Sequence, residues 1–296
     1  MEPSVQRADA LLLADDYRVP VRVPAIHRRL DRRGGEVMRR WITFDLDGTL
    51  MQNPFAGAIF PEVEELVSME TGSACGMKEK LMAEHERLMA DGRIVDAYDW
   101  DAIVAGLLGE LGVKRAVDIV EMVVRHSIAP KIFLLDDTIL PALERLKREG
   151  YSLAAVTNGY YKYQYPVMEA LGLAARLDEI VTPDRSGYAK PDARMADALP
   201  SGDKIVLHVG DRLDHDVAFA RSLGVPSALI HRRLPEELIP LSPKERANST
   251  ALLPVLHSLA EKESGAPVQD IAPFVPTYAI RDLSELAECL ADSEGS

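Results

Sequence analysis

Cysteine is nearly absent from the 296 residues: Cys75 and Cys289 stand alone, with no metal-ligand spacing between them. Two free thiols give no basis for a disulfide framework and fit a reducing compartment, the cytoplasm. Long apolar runs are missing too. The longest, residues 10–14 and 128–135, are too short or too interrupted for the ~20 residues that cross a bilayer. The opening residues carry acids among arginines and no apolar core, so no secretory signal is expected. Positive charge is the third shortfall: 34 Lys and Arg against 47 Asp and Glu leave a net charge of −13. That balance argues against nucleic acid and anionic membrane as partners. An anionic substrate would need a metal or a placed lysine.

The first forty residues hold nine Arg and no Lys, with Pro20 and Pro24 interrupting any helix. No hydrophobic period is sustained there, so residues 1–37 read as a mobile tail, with Met38 an alternative chain start. From Trp41 a rhythm begins. Short apolar runs at 41–45, 152–157, 205–210 and 225–231 suit buried parallel strands. Between them lie helical patterns at 140–149, 163–171 and 214–223, each stopped by a glycine: Gly150, Gly172 and Gly224. Strands alternating with helices predict an α/β fold, a doubly wound parallel sheet covered on both faces.

Residues 51–130 interrupt this rhythm with helical patterns at 62–71, 78–90, 100–111 and 117–127 and no strand-like run. Met82 and Met89, one heptad apart, read as core packing. An all-helical insertion directly after the first strand is placed to cover that strand's carboxyl end, where open α/β sheets bind ligands. Its connections to the rest, near Asn53-Pro54 and Ala129-Pro130, read as hinges. The core then comprises residues 38–50 and 131–296. Within it, residues 233–276 are rich in proline and read as an irregular excursion before a last strand at 277–280 and a closing helix from Leu283.

The strongest chemical signal is Asp45-Leu46-Asp47-Gly48-Thr49. Residues two apart on an extended chain project to the same side, so Asp45 and Asp47 can face one space beyond the strand end. Gly48 permits a sharp turn there. Thr157-Asn158-Gly159 follows the second strand and opens a helix, where a hydroxyl and backbone N–H groups can hold phosphate oxygens. Lys190 sits on a turn before Pro191, and Gly210-Asp211, with Asp216 further on, adds carboxylate at the same edge. Taken singly, each of these last three is ordinary: a strand-to-helix turn, a surface lysine, a capped helix start. A phosphate dianion facing Asp45 and Asp211 gathers more negative charge than Lys190 can balance, and a divalent cation would restore neutrality. Oxygen ligands favour Mg²⁺ over zinc.

In this order, at successive strand ends, the four motifs resemble the haloacid dehalogenase (HAD) superfamily, over residues 41–230 and again in the 276–290 tail. The insertion resembles its C1 helical cap. The Thr157-Asn158-Gly159 run with Gln164 and Leu171-Gly172-Leu173 is similar to its phosphoglycolate-phosphatase-like branch. The resemblance implies a Rossmann-like core and a Mg²⁺-dependent phosphohydrolase that cleaves a small phosphorylated metabolite through an aspartyl phosphate. It makes Asp45 the nucleophile and Asp47 the general acid and base. Thr157, Asn158 and Gly159 bind the phosphoryl group, and Lys190 orients Asp45. Asp45, Asp47 through its carbonyl, and Asp211 bind the metal, with Asp216 supporting it.

A dehalogenase needs no second acid, so Asp47 disfavours that activity. A phosphonatase would need a distinctive cap lysine, and Lys78, Lys80 and Lys114 stand in no such context. A sugar-phosphate mutase uses the same aspartates and stays open. A catalytically silent binding module would be expected to have lost Asp45, Asp47, Lys190 or Asp211. His208, inside a strand, reads as a hydrogen-bonded core residue. Tyr160, Tyr161, Tyr163 and Tyr165 read as surface or packing residues, with one able to line the entrance. Arg93 and Arg125 are candidates to meet an anionic leaving group. Substrate identity and oligomeric state are not encoded in any readable pattern.

Overall fold

The computed structural model describes residues 38–295, and the expectations for residues 1–37 lie outside them. Strand β1 (Arg40–Phe44) buries Trp41, Ile42, Thr43 and Phe44, as a strand covered on both faces must. It pairs in parallel with β4 (Ser152–Val156) on one side and β6 (Lys204–Gly210) on the other. With β5 (Glu179–Val181), β7 (Ser227–Ile230) and β8 (Tyr278–Ile280) they form a six-stranded sheet of order β5-β4-β1-β6-β7-β8. All five neighbouring pairs run parallel. The chain leaves β1 towards β4 and returns to β6 on the opposite side, so a topological switch point lies at β1. Crevices at such points are where open α/β sheets bind ligands.

Helices α1 (Phe60–Thr71), α2 (Met77–Ala90), α3 (Trp100–Glu110) and α4 (Ile119–His126) fill the insertion after β1. The insertion does contain strand where none was expected. Its two connections pair antiparallel, β2 (Met51–Gln52) with β3 (Phe133–Leu134), matching Met51 to Leu134 and Gln52 to Phe133. Two residues a side leave no alternation to read. Met82 and Met89 pack against the main core, as expected. That core is continuous from sheet residues such as Phe44 and Leu153 into insertion residues such as Leu81 and Val123.

Helices α5 (Ile139–Arg148), α6 (Tyr161–Ala170), the single turn α7 (Pro183–Ser186) and α8 (Ala218–Leu223) connect the sheet strands. The excursion is less irregular than its prolines suggest. It holds α9 (Pro243–Asn248) and α10 (Leu253–Ser264), each with proline in its first turn, where the missing N–H costs nothing. Ser242 closes a capping box with Glu245 on α9. Leu238, Leu252 and Leu256 there join Leu213, Val217 and Leu229 in a second core cluster. The chain closes on α11 (Leu286–Gly295). No helix among the described residues is long and apolar enough to cross a membrane.

Candidate active site

The register of the sheet brings the motifs level. Phe44 lies opposite Ala155 and Val209, so the residues just past β1, β4 and β6 emerge together at their carboxyl ends. The Asp45 N–H donates to the Val209 carbonyl at 2.9 Å, carrying the ladder one residue beyond β1. Gly48 then turns at φ +87°, and a Cβ there would collide with the Asp211 carboxylate. Only glycine serves at that crossing.

Lys190, 1% exposed, is the cation of the site. Its Nζ stands 2.7 Å from Asp45 Oδ1 and 2.6 Å from Asp216 Oδ1. Burial opposes the ammonium, but Asp216 and Asp45 outweigh it and hold the lysine above its ordinary pKa. Asp216 is fully engaged: Oδ1 also meets His208 Nε2 at 3.1 Å, and Oδ2 accepts the Arg212 N–H at 3.0 Å. Burial disfavours its charge as well, yet Lys190 and His208 keep its carboxyl well below the usual range. The other His208 nitrogen meets Thr43 Oγ1 at 2.8 Å, which makes it the hydrogen-bonded core residue expected.

Asp45, Asp211 and Asp216 each place a carboxylate oxygen within 4.8 Å of the others. Asp211 Oδ1 accepts the Thr49 hydroxyl at 3.1 Å. Among the described residues, none donates to Asp45 Oδ2 or Asp211 Oδ2. Burial pushes the Asp45 carboxyl well up, with Asp216 and Asp211 adding to it against Lys190. Burial, with Asp216 beside it, pushes Asp211 up to about 6. A buried and a half-buried carboxylate with unclaimed oxygens, each destabilised as an anion, fit a hard divalent cation.

Asp47 stands apart from this cluster. Its Oδ2 accepts Gln164 Nε2 at 2.6 Å, while its buried Oδ1 has no hydrogen-bond partner among the described residues. Burial raises its pKa against the Gln164 donor. Thr157 is buried, its N–H tied to the Val181 carbonyl and its Oγ1 accepting the Gly159 N–H at 3.2 Å. The Asn158 side chain has a partner that the sequence did not indicate. Its side chain clasps the Lys190 backbone from both sides, accepting the Lys190 N–H at 2.7 Å and donating to the Lys190 carbonyl at 3.1 Å. Thr157 thus keeps a hydroxyl proton to offer, and Asn158 its backbone N–H.

Sequence reasoning missed several neighbours. Tyr98, from the insertion, stands near Asn158, Arg212, Lys190 and Asp214, and burial raises its phenol pKa. His85 holds the Tyr98 ring edge-on at 5.0 Å and stacks on Trp100 at 5.4 Å. Lys162 Nζ bonds Asp101 at 2.7 Å and Asp99 at 3.2 Å, linking α6 to the insertion. Arg232 donates to the Gly48 and Thr49 carbonyls and to Asp136, joining the chain just before β2 to the chain just after β3. These partners lie far apart in sequence and left no local pattern. Of the two candidate arginines, Arg93 pairs with Asp96, and Arg125 with Glu62 and Glu121. Tyr163 packs rather than lining the entrance, edge-on to Phe55 at 5.5 Å.

Comparison with known proteins bears on the fold and the family. Over 203 residues the chain is 22% identical to the glyceraldehyde 3-phosphate phosphatase of Methanothermobacter thermautotrophicus, covering 67% of this chain and 88% of that one. A HAD phosphatase from Thermococcus onnurineus superposes with a TM-score of 0.58 at 24% identity, over 85% of this chain and 97% of that one. The magnesium-bound putative HAD-hydrolase YfnB of Bacillus subtilis gives 0.52 at 18% identity, over 86% and 99%. The haloacid dehalogenase-like hydrolase family matches residues 40–224, more than half the chain and every motif from Asp45 to Asp216, and the protein belongs to that family.

Proposed function

We propose that the protein is a Mg²⁺-dependent phosphohydrolase that cleaves a phosphate monoester of a small metabolite through an aspartyl phosphate on Asp45. The observation that carries this reading is the buried Lys190 bridge between Asp45 and Asp216, with Asp211 and the second acid Asp47 beside it. The family contains dehalogenases, but Asp47 and the unclaimed Asp211 oxygen have no use in that reaction. The phosphatase named among the relatives acts on a small phosphorylated sugar.

Lys190 holds the Asp45 carboxylate in place for its attack on phosphorus. As the ester P–O bond breaks, the departing oxygen takes a proton from Asp47. Burial favours the protonated Asp47 that this step needs, and its unpartnered Oδ1 is the atom to deliver it. Asp47 then removes a proton from the water that attacks phosphorus, which releases phosphate and restores Asp45. Thr157 and the Asn158 N–H hold the phosphoryl oxygens. Asp45, Asp211 and the Asp47 carbonyl would hold the metal, and Asp216 supports it through Lys190 and the Arg212 N–H. When bound, the ion would offset the phosphate and carboxylate charge.

Residues 51–130 act in this reading as a cap hinged at the β2–β3 pair, with Tyr98 its contribution to leaving-group recognition. The test is a screen of phosphorylated metabolites with Mg²⁺. Release of inorganic phosphate from at least one ester supports the reading. Phosphoryl transfer between sugar positions without release would replace it with a mutase.

A further inference from the structure

The Asp211 loop is braced by a segment that lies beyond the family-matched residues. After Asp211 the chain enters a helical turn at Leu213–Val217, whose N-cap residue Arg212 gives no side-chain cap. The first N–H groups of such a turn need an acceptor. Glu263, in the last turn of α10, supplies it: Leu213 N–H donates to both carboxylate oxygens at 3.1 and 3.0 Å, and Asp214 N–H to Oε2 at 3.0 Å. The side chains of Leu213 and Val217 are meanwhile buried in the cluster formed by the same segment. The turn therefore hangs from α10 by its backbone and by its apolar face.

We infer that Glu263 is a positioning residue that holds the 211–216 loop in its ion-binding shape. Asp211 is fixed at one side by Thr49, and the turn that follows it is fixed by Glu263. Asp216, on the same turn, locks Lys190 and the Arg212 N–H. Releasing the turn's first two N–H groups frees the loop on the side where neither Thr49 nor Lys190 reaches. This inference rests on the reading of Asp211 as a ligand, and the experiment separates the two.

Mg²⁺ is titrated calorimetrically into the full chain and into Asp211→Asn, Glu263→Met and Glu263→Gln. Methionine keeps the length and helix propensity but accepts neither bond. Glutamine keeps one oxygen where Oε2 stands and so can accept both. Glu263→Met is expected to bind about tenfold more weakly than the unmodified protein, the usual scale for losing a group behind a ligand. Glu263→Gln should stay within about threefold of it. Unchanged binding by Glu263→Met would overturn the inference. So would equal losses in both variants, since the effect would then be charge alone. If Glu263→Met does not fold, a tenfold loss in Glu263→Gln overturns it and near-normal affinity supports it. Absent Mg²⁺ binding in the unmodified protein, or intact binding by Asp211→Asn, would instead overturn the metal reading.

Discussion

Lys190 Nζ lies 2.7 Å from Asp45 Oδ1, in a site where the lysine side chain is 1% exposed. The same ammonium neutralises Asp216, so one buried cation serves two buried carboxylates. Breaking such a bridge from the cationic side leaves both anions uncompensated. Lys190→Met is expected to lower stability by about 3–5 kcal/mol and to abolish measurable phosphate release. Saturating Mg²⁺ should recover part of the stability, because the ion supplies charge at the same place. A melting temperature unchanged from that of the unmodified protein would show that the bridge is not formed in solution.

The ion and pH should act on the same carboxylates. Asp211 stands at about 6, against an ordinary value of 3.8, so the folded state holds its proton to higher pH than the unfolded state does. Between those values the native protein binds more protons, and stability without metal falls as pH rises through the window. Asp45 is displaced in the same direction. Mg²⁺ needs both ionised. The melting-temperature increase on adding Mg²⁺ should therefore be larger at about pH 7.5 than at about pH 5. An equal increase at the two pH values would contradict the assignment of these carboxylates as ligands.

Tyr98, from the insertion, stands beside the Asn158–Lys190 clasp, and Lys162 and Tyr163 hold the adjoining Asp99 and Asp101. Tyr98→Phe removes one hydroxyl and should raise KM for the ester by about three- to tenfold, the worth of one hydrogen bond. Inhibition by inorganic phosphate should not change, because phosphate is held from the sheet side. Loss of phosphate inhibition in Tyr98→Phe would place the tyrosine on the phosphoryl group rather than on the leaving group.

Sequence pattern carried the sheet and the four motifs because both are local. An apolar run ending in acids marks β1, and the parallel register of β1 with β4 and β6 then brings Asp45, Thr157 and Asp211 level. What escaped was of two kinds. Short elements such as β5, with three residues, and β2 and β3, with two each, hold too little alternation to register. Partners remote in sequence leave no spacing to read: Glu263 reaches Leu213 across 50 positions, and Arg232 reaches Gly48 across 184. Asn158 belongs to this second kind, since its side chain is set by Lys190, 32 residues away. The prolines of 233–276 misled for a different reason. Pro243 and Pro254 begin helices instead of breaking them.

The central claim is that the Asp45 carboxylate attacks phosphorus. Asparagine at this position keeps the shape of the side chain and can still accept from Lys190, but it cannot form the acyl phosphate. Phosphate release by purified Asp45→Asn in saturating Mg²⁺, set against the unmodified protein on the best ester from the screen, measures this directly. The expected result is a fall of at least about 10⁴-fold in kcat, comparable to removal of a nucleophile elsewhere, with the folded state retained by circular dichroism. Release within tenfold of the unmodified rate would contradict the account.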